Sequence, residues 1–314
     1  MHILFPEIGP YAQHKLAVDP LHTLYIEECG YPGGIPVLVI HGGPGSGCNS
    51  ADRRFFDPGR FRIILFDQRG CGRSTPHGSL INNTTHHLVD DIEAIRRYLG
   101  IEQWLLFAGS WGAALALSYA QRQPQQVSGC ILRGTFLCRP RDIDWSYAAG
   151  NGASRLFPDI WDALLQPLQD QEKSAVLPAY YRRLQSGNEL EAMHAARSWN
   201  QWLRRSFADP QSQLGHEHED QLAKARIHTH YLINYGFLKE HPILDAMETI
   251  RHIPAILIHG RLDTVCPIEQ SYLLHKHWPN AELHIVHQAG HSAFEAGILD
   301  NLVRATHYFS LKLA

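Results

Sequence analysis

The stretch Leu105–Leu115, LLFAGSWGAAL, decides how the chain reads. An apolar run leads into Gly109-Ser110-Trp111-Gly112, and a run of small residues follows. Strand character gives way to helix character across a single serine. Working outward, the same alternation recurs. Leu24–Cys29, Val37–His41, Ile63–Asp67, Leu105–Ala108 and Gly129–Arg133 are predicted strands, rich in Val, Ile, Leu and Phe and closed by turn residues. Leu88, Ile92, Ile95 and Leu99 repeat at helical spacing, with Asp90, Asp91 and Glu93 before Arg96 and Arg97, an order that suits the helix dipole. Gly100 ends that helix. Strands apolar on both faces imply a mostly parallel central sheet flanked by helices, an α/β fold. From 136 to 248 strand signals vanish and Trp, Tyr, Arg, Gln and Ala become common. This segment reads as an α-helical cap domain inserted into a body made of 1–135 and 249–314. Strand patterns return at Ile253–His259 and Glu282–Val286, and a helical tail runs from Leu299 to about Leu311.

With 314 residues, 44% of them hydrophobic, the chain can bury a large core. A formal net charge of −3 and basic runs no longer than two residues, such as Arg204-Arg205, offer no surface that could release counterions from a nucleic acid. No apolar run approaches the roughly 20 residues of a membrane span. The start, MHILFPE, lacks the basic and apolar regions of a signal peptide. Cys29, Cys48, Cys71, Cys130, Cys138 and Cys266 form no CxxC pair, so they read as reduced thiols of a cytoplasmic protein.

Ala108-Gly109-Ser110-Trp111-Gly112 is one methyl group away from the G-x-S-x-G nucleophile elbow, a sharp turn that exposes a serine beyond the sheet. A serine hydroxyl needs a base to take its proton, and the base needs an acid to orient it. The expected chain order is serine, acid, histidine. AILIHGRLDTVCP places Asp263 in the loop after one strand, and LHIVHQAGHSAFE places His291 in the loop after the next. Ser110, Asp263 and His291 are the candidate catalytic residues. With 21 histidines, one in a loop means little; three residues in order, each at the carboxyl end of a strand, mean more. VIHGGPGSG, Val39–Gly47, supplies glycines that let backbone N–H groups approach a ligand. The N–H groups of Gly43 and Trp111 are assigned to the oxyanion hole. No GK[ST] follows the glycines, which argues against a phosphate cradle. DQRGCGRS, Asp67–Ser74, reads either as a scaffold turn braced by ion pairs or as part of the site's rim.

These segments together resemble the prolyl aminopeptidases (proline iminopeptidases) of the α/β-hydrolase fold. FPEIGPY, HTLYIEECG, HGGPGSGCN, FDQRGCGRSTPH, GSWGAALALSYAQ, LRGTFL, GASRLFPD, HGRLDTVCP and GHSAFE carry the likeness nearly from end to end. The resemblance implies a capped sheet, no metal or other cofactor, a small-molecule or short-peptide substrate, and hydrolysis after an N-terminal proline by a triad falling on Ser110, Asp263 and His291. It also implies a substrate pocket with Phe136 and Tyr147, bordered by Trp199, Trp202 and His228.

The family binds the substrate's amine with glutamates of the cap. Here SWNQWLRRS puts Leu203 at one such place, and KARIHTHYL puts His228 at another, with Leu232 replacing a nearby aromatic. An ammonium taken from water without a partner costs several kcal/mol. Two substrates therefore stay open: a free N-terminal proline, or an ester or amide without a free α-amine. Glu217, Glu219 and Asp220 are candidates to replace the missing acids. His216 with His218, and His228 with His230, are spaced i,i+2, which does not share a helix face; no metal site is expected from them.

Overall fold

The computed structural model describes residues 3–206, 218–239 and 242–314. Its strands are β1 (Pro10–Ala17), β2 (Thr23–Gly30), β3 (Ile35–Ile40), β4 (Phe61–Phe66), β5 (Trp104–Gly109), β6 (Val127–Arg133), β7 (Ala255–Gly260) and β8 (Ala281–Val286). They form one sheet in the order β1-β2-β4-β3-β5-β6-β7-β8. The pairs β1/β2 and β2/β4 are antiparallel, and every other neighbouring pair is parallel.

Alternation along the central strands builds two cores. Leu38, Ile64, Leu106, Leu132 and Leu257 face one side, whereas Val37, Val39, Ile63, Leu65, Leu105, Phe107, Ile131 and Ile256 face the other. The first face is covered by α1 (Thr85–Tyr98) and α2 (Trp111–Arg122), through Leu88, Ile92, Ile95, Leu115 and others. Between β6 and β7 come α3 (Pro140–Tyr147), α4 (Gly152–Leu156), α5 (Pro158–Leu165), α6 (Val176–Leu184), α7 (Glu189–Ser206) and α8 (His218–Ile233). Helix α9 (Glu269–His277) follows β7, and α10 (Ala296–Lys312) covers the second face through Ile298, Leu302 and Phe309.

The predicted strands are present, each within a few residues of its expected bounds. β1 is an addition. Its residues alternate between exposed and half-buried and none is fully buried, so it carries no apolar run. An edge strand is held by backbone pairing on one side alone, here to β2.

The junction of β5 with α2 depends on Gly112. A Cβ there would collide with the Ile40 carbonyl oxygen of β3. Gly112→Ala therefore has to push strand and helix apart, and overpacking of this kind costs about 1–3 kcal/mol. Urea unfolding is expected to show that loss as a lower midpoint at unchanged slope.

Candidate active site

The main chain at Ser110 has φ 57° and ψ −128°, in the left-handed half of backbone space where a non-glycine residue is strained. The turn is over-determined by its neighbours. The Ser110 N–H donates to the Arg133 carbonyl at 2.9 Å, and the Ser110 carbonyl accepts from the Ala113 N–H at 2.9 Å. The serine thus caps α2 from beyond the end of β5, at the positive end of the helix dipole.

Asp263 lies in the loop after β7, buried. Its Oδ1 accepts from the Val265 and Cys266 N–H groups at 2.9 and 2.8 Å. Its Oδ2 lies 2.7 Å from His291 Nδ1 and 3.2 Å from His259 Nε2. Burial alone would raise the Asp263 pKa. The charge of His291 and hydrogen bonds from His259 and His291 overcome it and hold the carboxyl well below the usual carboxylate range. With Nδ1–H of His291 donated to Asp263, Nε2 is the ring's unprotonated, basic nitrogen in the neutral form.

Gly134, after β6, lies against the imidazole at φ +51°. A Cβ there would meet His291 Cε1 and Nδ1 at 3.1 Å and Asp263 Oδ2 at 3.3 Å. Next to it, Arg133 donates from Nη1 to the His291 carbonyl. Cys266, bonded through its N–H to Asp263, hydrogen-bonds to Ser110 through its thiol. Asp263 and His291 are thus in direct contact, and both are tied to Ser110 through Arg133, Gly134 and Cys266. Burial and the Asp263 charge push the Cys266 thiol far up, so it stays protonated.

The loop after β3 closes over the elbow. A Cβ on Gly42 would meet the Gly109 carbonyl at 3.1 Å and Ser110 Cβ at 3.5 Å. Gly43 has φ +113°, where a Cβ would crowd the N–H groups of Gly45 and Ser46. Gly42, the neighbour of Gly43 in the chain, therefore approaches the serine from the loop, and Trp111 follows the serine in the first turn of α2.

Phe136, Tyr147, Trp199, Trp202 and His228 are all buried. Tyr147 stacks on Trp199 with centroids 4.9 Å apart and an interplanar angle of 14°. Trp202 packs edge-on against Trp161, among the helices between β6 and β7. Leu203 and Leu232 are buried as well. His228 Nδ1 accepts from the Trp199 indole N–H at 2.9 Å, and its ring also hydrogen-bonds to the Gly43 main chain. Because Nδ1 accepts, Nε2 carries the proton, and it donates to the Gly43 carbonyl. Burial, with the Lys224 charge adding to it, pushes the His228 pKa down to about 3, the Gly43 bond only partly offsetting this. His230 turns elsewhere, bonding the Asn83 carbonyl at 2.9 Å. Glu217 and His216 lie outside the described residues. Of His218, Glu219 and Asp220 only the main chain, at the start of α8, is described. Among the described residues no group of three or more His, Cys, Asp or Glu side chains could hold a metal ion, and no helix is long and apolar enough to cross a membrane.

A base with a lowered folded pKa has a definite linkage. Below its ordinary value of about 6.5, the unfolded chain binds a proton that folded His228 refuses. Stability therefore falls as pH drops from about 6.5 towards about 3, by up to about 1.4 kcal/mol per pH unit from this group. His228→Gln keeps an acceptor and a donor but does not titrate. Denaturation at pH 7 and pH 4.5 is expected to show a smaller pH loss in the variant than in the parent.

Sequence reasoning passed over Arg133, His259 and Cys266. Nothing in their local sequence marks them: Arg133 reaches His291 only because strand ends adjoin, and His259 and Cys266 reach Asp263 through the turn of one loop.

A family model described as alpha/beta hydrolase fold matches residues 35–297. The proline iminopeptidase of Xanthomonas citri is 47% identical, over 99% of this chain and 100% of its own length. That of Arabidopsis thaliana is 46% identical, over 96% and 80% respectively. A solved proline iminopeptidase from Mycobacterium smegmatis superposes with a TM-score of 0.66 at 21% identity, covering 96% of this chain and all of that one, a likeness of fold.

Proposed function

The chain belongs to the proline iminopeptidase family of α/β-hydrolase-fold enzymes, and from that premise we propose a serine hydrolase that releases N-terminal proline from short peptides. In this reading residues 136–248 are a cap over a catalytic body of 1–135 and 249–314. The six unpaired cysteines fit a reducing, cytoplasmic setting.

His291 Nε2 takes the proton of Ser110 Oγ as the oxygen attacks the prolyl carbonyl carbon. The resulting oxyanion lies between the N–H groups of Gly43 and Trp111, each such donor contributing roughly 3–4 kcal/mol to the barrier reduction. His291 then gives its proton to the leaving amine. Water, activated by the same imidazole, hydrolyses the prolyl ester and frees Ser110. Asp263 keeps the proton on Nδ1 throughout and stabilises the imidazolium. The observation that carries the reading is the 2.7 Å contact of Asp263 Oδ2 with His291 Nδ1, made by a carboxylate whose other oxygen is already saturated by two backbone N–H groups.

A second reading keeps the machinery and changes the substrate to an ester or amide without a free α-amine. One observation favours it. His228 stands where the resemblance expects a glutamate, and it is neutral with both nitrogens engaged, so it offers an ammonium no acceptor. Rates on proline p-nitroanilide and on its N-acetyl analogue separate the two. A strong preference for the free amine supports the first reading; equal or reversed rates replace it with the second.

A further inference from the structure

Gln68 is the second residue of the DQRG segment just beyond β4 and takes no part in the chemistry described so far. It is 2% exposed. Its side-chain Nε2 donates to the His41 carbonyl at 2.8 Å, and its Oε1 accepts from the Trp111 indole N–H at 3.0 Å. A carbonyl can only accept and an indole N–H can only donate, so the amide has one orientation. The Gln68 main-chain N–H donates to His41 Nε2 at 3.1 Å. That leaves the His41 proton on Nδ1, which donates to the Gly42 carbonyl at 2.9 Å. Burial holds His41 neutral by lowering its pKa.

The Gly42 carbonyl belongs to the same peptide group as the Gly43 N–H. Fixing its oxygen fixes the direction of that N–H. Trp111 is the residue whose main-chain N–H is the other donor. One glutamine therefore reaches both donor-bearing residues: one through its own amide, the other through the His41 ring and carbonyl. We propose that Gln68 is a positioning residue that sets the separation and aim of the Gly43 and Trp111 N–H groups towards the oxyanion.

The inference rests on the Ser110 reading above, because it needs an oxyanion between those two groups. The cap reinforces the arrangement: Tyr231 packs on the Trp111 ring at 4.6 Å, and His228 holds the Gly43 carbonyl on the far side of that residue. Gln68 is the element that joins the two halves from beneath. A donor misplaced by about 1 Å can lower the rate some 100-fold without changing how the ground state binds.

The test uses Gln68→Met, which keeps length and loses both side-chain bonds, and Gln68→Glu, which keeps the acceptor for Trp111 but opposes an oxygen to the His41 carbonyl. Each is assayed beside the parent protein on whichever proline arylamide, free or N-acetylated, the parent hydrolyses faster. Affinity for a proline boronic acid, a tetrahedral oxyanion mimic, is read against affinity for prolinamide. The expected result is a kcat about 100-fold lower, KM within about twofold, boronate binding weakened in parallel and prolinamide binding unchanged. A folded Gln68→Glu with kcat within about threefold of the parent overturns the proposal. So does a rise in KM alone, or loss of folding in both variants, which would assign Gln68 to stability. Should the parent protein hydrolyse neither arylamide and take no label at Ser110, the Ser110 reading fails first, an outcome distinct from any difference among the Gln68 variants.

Discussion

Replacing Ser110 by alanine is expected to lower kcat by about a million-fold while leaving the fold intact. The size follows from the division of labour around the elbow. Only the hydroxyl is removed, so in the proposed mechanism the two backbone donors and the substrate pocket remain to give whatever residual rate they can. The main-chain bonds from Ser110 to Arg133 and Ala113 do not involve the side chain. Alanine meets the same strain at φ 57° that serine does, so the variant should unfold within a few degrees of the parent. The Cys266 thiol loses its hydroxyl partner but is held protonated by burial. It is a poor substitute nucleophile. A kcat within 100-fold of the parent would mean that another group attacks the carbonyl.

Asp263→Asn is expected to lower kcat by about 10⁴-fold, for a reason the hydrogen bonds make specific. The Val265 and Cys266 N–H groups both point at one carboxylate oxygen. An asparagine must turn its own oxygen to them, since its NH₂ would face two donors. That turns the NH₂ towards His291 Nδ1 and His259 Nε2. His259 Nε2 carries a proton, because it also contacts the Cys266 carbonyl at 2.7 Å. His291 must then present an unprotonated Nδ1, which moves its proton to Nε2, the atom that receives the serine proton in the proposed mechanism. Steady-state kinetics check the size of the loss. Retention of more than a tenth of the parent kcat would show that the carboxylate does not set the tautomer.

The acid side of the stability profile carries a related signature. Asp263 has a folded pKa below its unfolded value of about 3.9, so its ionised form contributes fully above that pH. The contribution is lost as pH falls through and below about 4. The His228 effect has the same sign but begins nearer pH 6.5, so the two can be separated along one titration.

What could be read in advance divides along physical lines. The central strands were legible because burial on both faces demands unbroken apolar runs. Ser110, Asp263 and His291 could be singled out as candidates because each lies in the turn or loop that follows such a run. β1 was not, since an edge strand needs only main-chain pairing. The partners of the site were hidden for a different reason. Arg133 and Gln68 act across strand ends that are neighbours in the sheet and distant in the chain, whereas His259 reaches Asp263 four residues on, through a loop turn that no periodicity records. The Gln68 side chain joins β3 to α2, and no local pattern records that. Helix α8 shows the same difficulty: Ala225, Ile227, His228, Thr229, Tyr231 and Leu232 are all buried, so it presents no single apolar stripe to read. Its His228 could be seen as a departure from the family's glutamate, but not as a ring bound to both Trp199 and Gly43.

Ser110 as the activated nucleophile is the central claim of the proposed mechanism. Exposure of the folded protein to a fluorophosphonate, followed by peptide mass spectrometry, tests this directly. A single adduct on Ser110, absent from Ser110→Ala and slowed in Asp263→Asn, is the result expected. An adduct on another residue, or labelling of Ser110 that is indifferent to Asp263, would contradict it.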